Sequence, residues 1–187
     1  MTPGFQPFDS ERFERHLNAA RDYCSRQGYA MTLHSGAEIL YTPALANYVS
    51  SHRLPTLGES DAVLVEFVPD VAFSEMEEAL ELFEQKGYSV VLAHVERYAC
   101  LFLGKALRRI KADFGIQCQM NCHTILERQG LWREHCIRTW LIEGLIDCVA
   151  SDAHNTTGRP FGMTQAFHAL CKKLGDQTAA SLVEMTV

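Results

Sequence analysis

Asp152-Ala153-His154 closes a short apolar run that includes Ile146, Val149 and Ala150, and Arg159 follows the aspartate by seven residues. In a strand, side chains i and i+2 point the same way, so the Asp152 carboxylate and the His154 imidazole can converge on one point, as a metal ion requires. Arg159 then lies within reach of an anion held there. Asp-x-His is common by chance and a solvated loop accounts for it as well. What raises it is that earlier strand ends carry residues of the same kind.

Glu38 stands in Gly36-Ala37-Glu38-Ile39 near the end of one predicted strand, and His94 closes the apolar run 88–94. With Asp152 and His154 they make four N/O ligands at the carboxyl ends of three strands, the rim on which parallel α/β sheets and barrels assemble their sites. Mixed imidazole and carboxylate donors suit manganese, zinc or iron better than calcium, which takes oxygen only. Taken singly, Glu38 reads equally as a surface charge, His94 as a core histidine and Asp152 as a helix cap. Arg97, three residues after His94, and Arg159 put two guanidinium forks beside the ligands. Their geometry matches phosphate oxygens, so the chemistry suggested is metal-assisted phosphoryl hydrolysis rather than peptide cleavage. The competing view makes both arginines ordinary helix-surface cations. Glu66 ends another buried strand on the same rim, and its expected part is to orient a ligand. His123, at a further strand end, is expected to cap.

The elements that must position these groups follow from the hydrophobic pattern. The chain has 187 residues, 47% of them apolar, enough for one domain over 1–187 with a single core. Its net charge of −6 argues against a nucleic-acid backbone as main partner. Seven scattered cysteines without a Cys-x-x-Cys pair read as reduced thiols, and no apolar run is long enough to span a membrane, so the cytoplasm is the expected compartment. Ser10 is expected to cap a helix with Phe13, Leu17, Ala20 and Cys24 on one face, ended by Gly28; Thr42-Pro43 opens a second helix. Ser74-Glu75-Met76-Glu77 reads as a capping box before a third. Strands are expected over 29–40, 62–67, 88–94, 115–122 and 146–151. Further helices are expected from Tyr98 to Ile110, over 132–145 and 161–174, and from Gln177 to Met185. Alternation of this kind requires a parallel sheet covered by helices, the α/β class.

Leu92-Ala93-His94-Val95-Glu96-Arg97-Tyr98 and Ala150-Ser151-Asp152-Ala153-His154-Asn155, with the segments around Glu38 and Glu66, resemble the PHP (polymerase and histidinol phosphatase) superfamily. The nearest likeness is to its bacterial tyrosine phosphatases of capsule and exopolysaccharide operons. The resemblance implies a distorted (β/α)7 barrel that binds divalent metal, typically Mn2+, and hydrolyses phosphotyrosine on a polysaccharide-synthesis tyrosine kinase. By position it makes Glu38 a bridging carboxylate, His94, Asp152 and His154 metal ligands, and Arg97 and Arg159 phosphate-binding groups, with Arg97, Arg159 and His154 acting on the phosphoryl group.

The sequence departs from that pattern at its start. Family members open with a strand carrying His-x-His, a helix with an acidic ligand, and a strand ending in Thr-Pro-His. Here Met1-Thr2-Pro3-Gly4 looks like that last strand's end, with glycine in place of histidine, and His-x-His is found nowhere. The expectation is a barrel lacking its first βα unit and most of its second strand, with three explanations open: a start assigned too far downstream, a shortened product without activity, or self-association that closes the gap. Val95 also replaces the proline usual after the histidine. Three rival readings stay open: a phosphotyrosine-binding module without turnover, a histidinol-phosphate type of hydrolase, and thiolate chemistry at Cys122 and Arg128. The last pair has Cys-x5-Arg spacing, but its loop lacks the glycine that would let backbone N–H groups wrap a phosphate.

Overall fold

The computed structural model describes residues 9–184. The chain divides into two compact units, Met1–Gly36 and Ala37–Val187. The expected helix end at Met185 and the Thr2-Pro3-Gly4 comparison lie outside the described residues.

The first unit holds helix α1, Ser10–Arg26. Asp9, not Ser10, is its N-cap and accepts from the Arg12 N–H at 2.9 Å, so the helix starts one residue earlier than expected. Phe13, Leu17 and Cys24 are half-buried, as an amphipathic stripe requires, whereas Ala20 is exposed. Gly28 follows the helix at φ +68°, the left-handed turn that glycine adopts without strain. Arg21 then clasps the returning chain, donating through Nε and Nη2 to the Leu33 carbonyl at 3.0 and 2.8 Å.

The second unit is a five-stranded parallel sheet in the sequential order β1-β2-β3-β4-β5. The strands are β1 (Glu38–Leu40), β2 (Ala62–Glu66), β3 (Ser89–Leu92), β4 (Gln117–Asn121) and β5 (Cys148–Ala150). The connecting helices are α2 (Pro43–Val49), α3 (Phe73–Gln85), α4 (Ala106–Phe114), α5 (Cys122–Leu126) and α6 (Leu131–Ile142), and α7 (Met163–Leu174) and α8 (Asp176–Val183) complete it. In-register neighbours include Leu40 with Glu66, Val65 with Leu92, Leu92 with Cys118, and Asn121 with Ala150. Alternate residues of each strand serve opposite faces. Val63, Val65, Leu92, Cys118, Met120 and Val149 join Met76, Leu80, Phe83, Ile110 and Leu170 in the apolar core, while Glu66, Gln119 and Asn121 project from the other face.

Three expectations need correction. The strand over 29–40 shrinks to Glu38–Leu40, because only these residues find ladder partners in β2, and Tyr29 and Met31 are exposed. Glu38 therefore opens its strand instead of ending it. Ser74 does not cap α3: the helix begins at Phe73, and its N-cap, Ala72, has no side-chain bond. The long helix expected from Tyr98 becomes two 3-10 turns, Val95–Arg97 and Ala99–Phe102, before α4, with Gly104 at φ +56° between them and the helix.

Candidate metal and anion site

The four buried polar or charged side chains among the described residues are His94 and Glu96, just after β3, and Gln119 and Asn121, at the middle and end of β4. Burying such groups is costly unless each is hydrogen-bonded, so their gathering at one end of the sheet marks where the fold serves something other than packing. The backbone agrees. His94 (φ +35°) and Asp152 (φ +48°) are the two non-glycine residues with left-handed backbone among those described. Each costs about 1 kcal/mol or more, strain that persists where surrounding structure fixes it.

His94 Nε2 lies 2.8 Å from Glu38 Oε1 and 3.2 Å from Glu66 Oε2. One ligand atom from each of the three residues falls within 4.8 Å of the others. Glu38 and Leu64 are paired across β1 and β2, so Glu38 and Glu66 rise from the same face of the sheet, and the turn after β3 swings His94 between them. Burial, and then the neighbouring Glu38 carboxylate, push the Glu66 carboxyl above its ordinary range, against the pull of His94 and Arg97. Two carboxylates meeting around one imidazole nitrogen form a donor set that a divalent cation would suit.

Asp152 and His154 stand in a second group. Arg97 Nη2 donates to Asp152 Oδ2 at 2.9 Å, Asn121 Nδ2 donates to the same oxygen at 2.9 Å, and Arg159 Nη1 approaches it at 3.4 Å. His154 Nδ1 lies 2.8 Å from the Asp152 carbonyl, which can only accept, and its Nε2 is 3.5 Å from Arg159 Nη1. The loop is tied by Asn155, whose Oδ1 accepts from the N–H groups of Thr157, Gly158 and Arg159 at 3.0, 2.6 and 3.0 Å. Arg97, Asp152 and Arg159, with Glu96, Asn121 and Arg133, line an open cleft of about 580 Å³. His123 closes one side, its Nε2 3.2 Å from the Pro160 carbonyl.

The structure thus joins Glu38 to His94, and Asp152 to His154, Arg97 and Arg159; among the described residues the ligand-distance group is Glu38, Glu66 and His94. Glu66, expected only to orient a ligand, stands among the ligand atoms. Gln119 and Asn121 escaped notice altogether, although two amides on alternate positions of an apolar strand were the available signal. Cys122 is buried and burial pushes its thiol up, the opposite of what a nucleophilic thiolate needs.

Residues 2–185 match the model of the capsular polysaccharide synthesis family CpsB/CapC. The chain belongs to the CpsB/CapC family. Among its relatives, the tyrosine-protein phosphatase CpsB of Streptococcus pneumoniae is 27% identical over 177 residues, covering 92% of this chain and 73% of that protein. CpsB of Streptococcus agalactiae is 29% identical over 152 residues, 79% of this chain and 63% of the relative. The tyrosine-protein phosphatase YwqE of Bacillus subtilis is 26% identical over 149 residues, 80% of this chain and 59% of its own length. The chain thus spans 59% to 73% of these relatives. The fold is shared with a solved chain from the crystal structures of YwqE from B. subtilis and CpsB from S. pneumoniae, named metal-dependent tyrosine phosphatases. The TM-score is 0.73 at 23% identity, over 90% of this chain and 68% of that one. The PHP-like motifs around His94 and Asp152 agree with this family.

Proposed function

We propose that this chain is a metal-dependent phosphatase acting on phosphotyrosine in proteins, its substrate a tyrosine kinase of capsule or exopolysaccharide synthesis. The observation that carries the reading is the side-by-side placement of a donor set, Glu38, Glu66 and His94, and a two-guanidinium group, Arg97 and Arg159, at one end of a parallel sheet. Family membership, and the naming of relatives as tyrosine-protein phosphatases, support the substrate class. Five parallel strands in sequential order, with polar groups following β2 to β5, support an arc of a (β/α) barrel. No described helix is long and apolar enough to cross a membrane, and all seven cysteines are free, which supports a cytoplasmic enzyme.

Two carboxylates and an imidazole nitrogen fit Mn2+, with Fe2+ and Zn2+ as alternatives, and the family likeness supports Asp152 and His154 as further ligands. When bound, a divalent ion supplies Lewis-acid stabilisation of phosphoryl charge and makes a nucleophile of water at neutral pH. The protein's own groups do the rest. Arg97 and Arg159, now shared on Asp152, turn their remaining N–H groups to the phosphoryl oxygens and balance the charge that develops there. The Asn155 turn holds Arg159 in place.

The test is phosphate release from a phosphotyrosine peptide by the purified full chain with Mn2+. Activity abolished by EDTA and unaffected by iodoacetate is expected. Activity that survives EDTA and is lost to iodoacetate overturns the metal reading, and peptide binding without turnover in Mn2+ returns the chain to a binding role.

A further inference from the structure

The two strained residues belong to different loops, after β3 and after β5, and β4 lies between them in the sheet. A single line of hydrogen bonds runs from one to the other through β4. The His94 backbone N–H donates to Gln119 Oε1 at 2.7 Å; Gln119 Nε2 donates to Asn121 Oδ1 at 2.9 Å; Asn121 Nδ2 donates to Asp152 Oδ2 at 2.9 Å. Both amides are buried, 6% and 5% exposed.

The direction of this line is fixed. A backbone N–H can only donate, so it must meet the Gln119 oxygen, which turns the Gln119 NH2 toward Asn121. The Asn121 oxygen must accept there, which turns its own NH2 to Asp152, and a carboxylate can only accept. Reversing either amide would set two donors or two acceptors face to face in a buried setting, at about 1 to 3 kcal/mol for each group left unpaired. Asn121 is tied a third time, its backbone N–H donating to Glu96 Oε1 at 3.0 Å, and that oxygen also accepts from Thr124 Oγ1 at 2.9 Å. The β4 amides therefore grip the His94 turn, the neighbouring Glu96 and the Asp152 carboxylate at once.

We propose that Gln119 and Asn121 are positioning residues: their amides form a directional relay that holds the His94 ligand turn and the Asp152 anion loop at a fixed spacing, so that metal and phosphoryl group meet in register. This rests on the metal reading above. Neither residue belongs to the donor group of Glu38, Glu66 and His94, and both act through the backbone of His94 and the carboxylate of Asp152.

Mn2+ binding to the full chain, followed by the electron paramagnetic resonance signal of free Mn2+, tests it. Gln119→Met keeps the side-chain volume and breaks both ends of the relay; Asn121→Ser breaks its last bond. Each is expected to weaken Mn2+ binding about 10- to 100-fold while leaving the far-ultraviolet circular dichroism of the ion-free chain unchanged. The double variant is expected to bind no more weakly than the worse single one, because one line is cut in both. Folded variants that bind Mn2+ within twofold of wild type overturn the relay, and so does a double variant whose losses add. Should the variants fail to fold, NMR of the wild-type chain decides: both side-chain amides are expected to exchange slowly with solvent, and fast exchange of either overturns the proposal. Failure of the metal reading looks different. The wild-type chain then binds no Mn2+, and the relay stands or falls on that amide exchange alone.

Discussion

Tyr98→Phe isolates one oxygen atom whose removal has a calculable cost. The Tyr98 ring is fully buried, and its hydroxyl donates to the Ala93 carbonyl at 2.9 Å and accepts from the Phe67 N–H at 3.1 Å. It thereby joins the turn after β2 to the turn that carries His94, and lies 3.4 Å from His94 Nδ1. Phenylalanine fills nearly the same volume but leaves two buried backbone groups unpaired. At about 1 to 3 kcal/mol each, the loss is about 2 to 6 kcal/mol, or roughly 1 to 3 M in urea midpoint for a slope of about 2 kcal/mol per M. Tyr88→Phe is the internal comparison. Its hydroxyl accepts only from the Leu54 N–H, at 2.9 Å in a half-buried setting, so about 1 kcal/mol is expected. Urea melts of the three ion-free proteins, with unchanged slopes, measure both. A Tyr98→Phe loss below about 0.5 kcal/mol, or one no larger than that of Tyr88→Phe, refutes the count of unpaired groups.

Burial pushes the thiols of Cys118 and Cys148 up to about 12, with Lys111 offsetting only part of the effect on each. Because these folded values lie above the ordinary thiol value of about 8.5, the stability they contribute is intact below that pH and is lost as pH rises toward 12. Urea midpoints should therefore fall between pH 8 and pH 10.5, and less steeply for Cys118→Ala/Cys148→Ala. Glu66→Gln removes one carboxylate from the donor set and should weaken Mn2+ uptake about 10-fold or more, read by calorimetry, without impairing folding. Asn155→Ala unties three N–H groups in an exposed loop and should cost only about 1 kcal/mol of stability, while KM for a phosphotyrosine peptide rises several-fold as Arg159 loses its fixed place.

Much of the fold could be read because its strands are continuously apolar and its helices carry clear stops. Gly28 and Gly87 both follow helix ends at positive φ, and Thr42 caps α2 with Pro43 behind it, accepting from the Leu45 N–H at 3.3 Å. The stretch over 29–40 misled because pattern alone cannot say whether a strand has a neighbour, and only Glu38–Leu40 does. Ser74 misled because the chain enters α3 two residues early, at Phe73, leaving Ser74 within the first turn instead of at the cap. At the site, residue type singled out His94 after β3 and Glu38 at the start of β1, which meet, and Asp152 and His154 after β5, which stand in a separate group with the arginines. That pairing was not legible, since it depends on which loops turn left-handed: His94 turns toward Glu66, while Asp152 turns toward the arginines. Glutamine and asparagine inside a strand look unremarkable in sequence, and their purpose shows only once β4 is seen between the two loops.

The period of two within each strand has a consequence for mutational tolerance. Val63 and Val65 of β2, with Phe67 just after it, and Cys118 and Met120 of β4, feed the apolar core, whereas Glu66, Gln119 and Asn121 occupy the intervening positions. A saturation scan scored separately for protein abundance and for turnover should show two combs offset by one residue along β4. Abundance would be sensitive at 118 and 120, and turnover at 119 and 121. Adjacent codons in this sheet answer to different selections, so the enzyme can be retuned on one comb while the other keeps it folded.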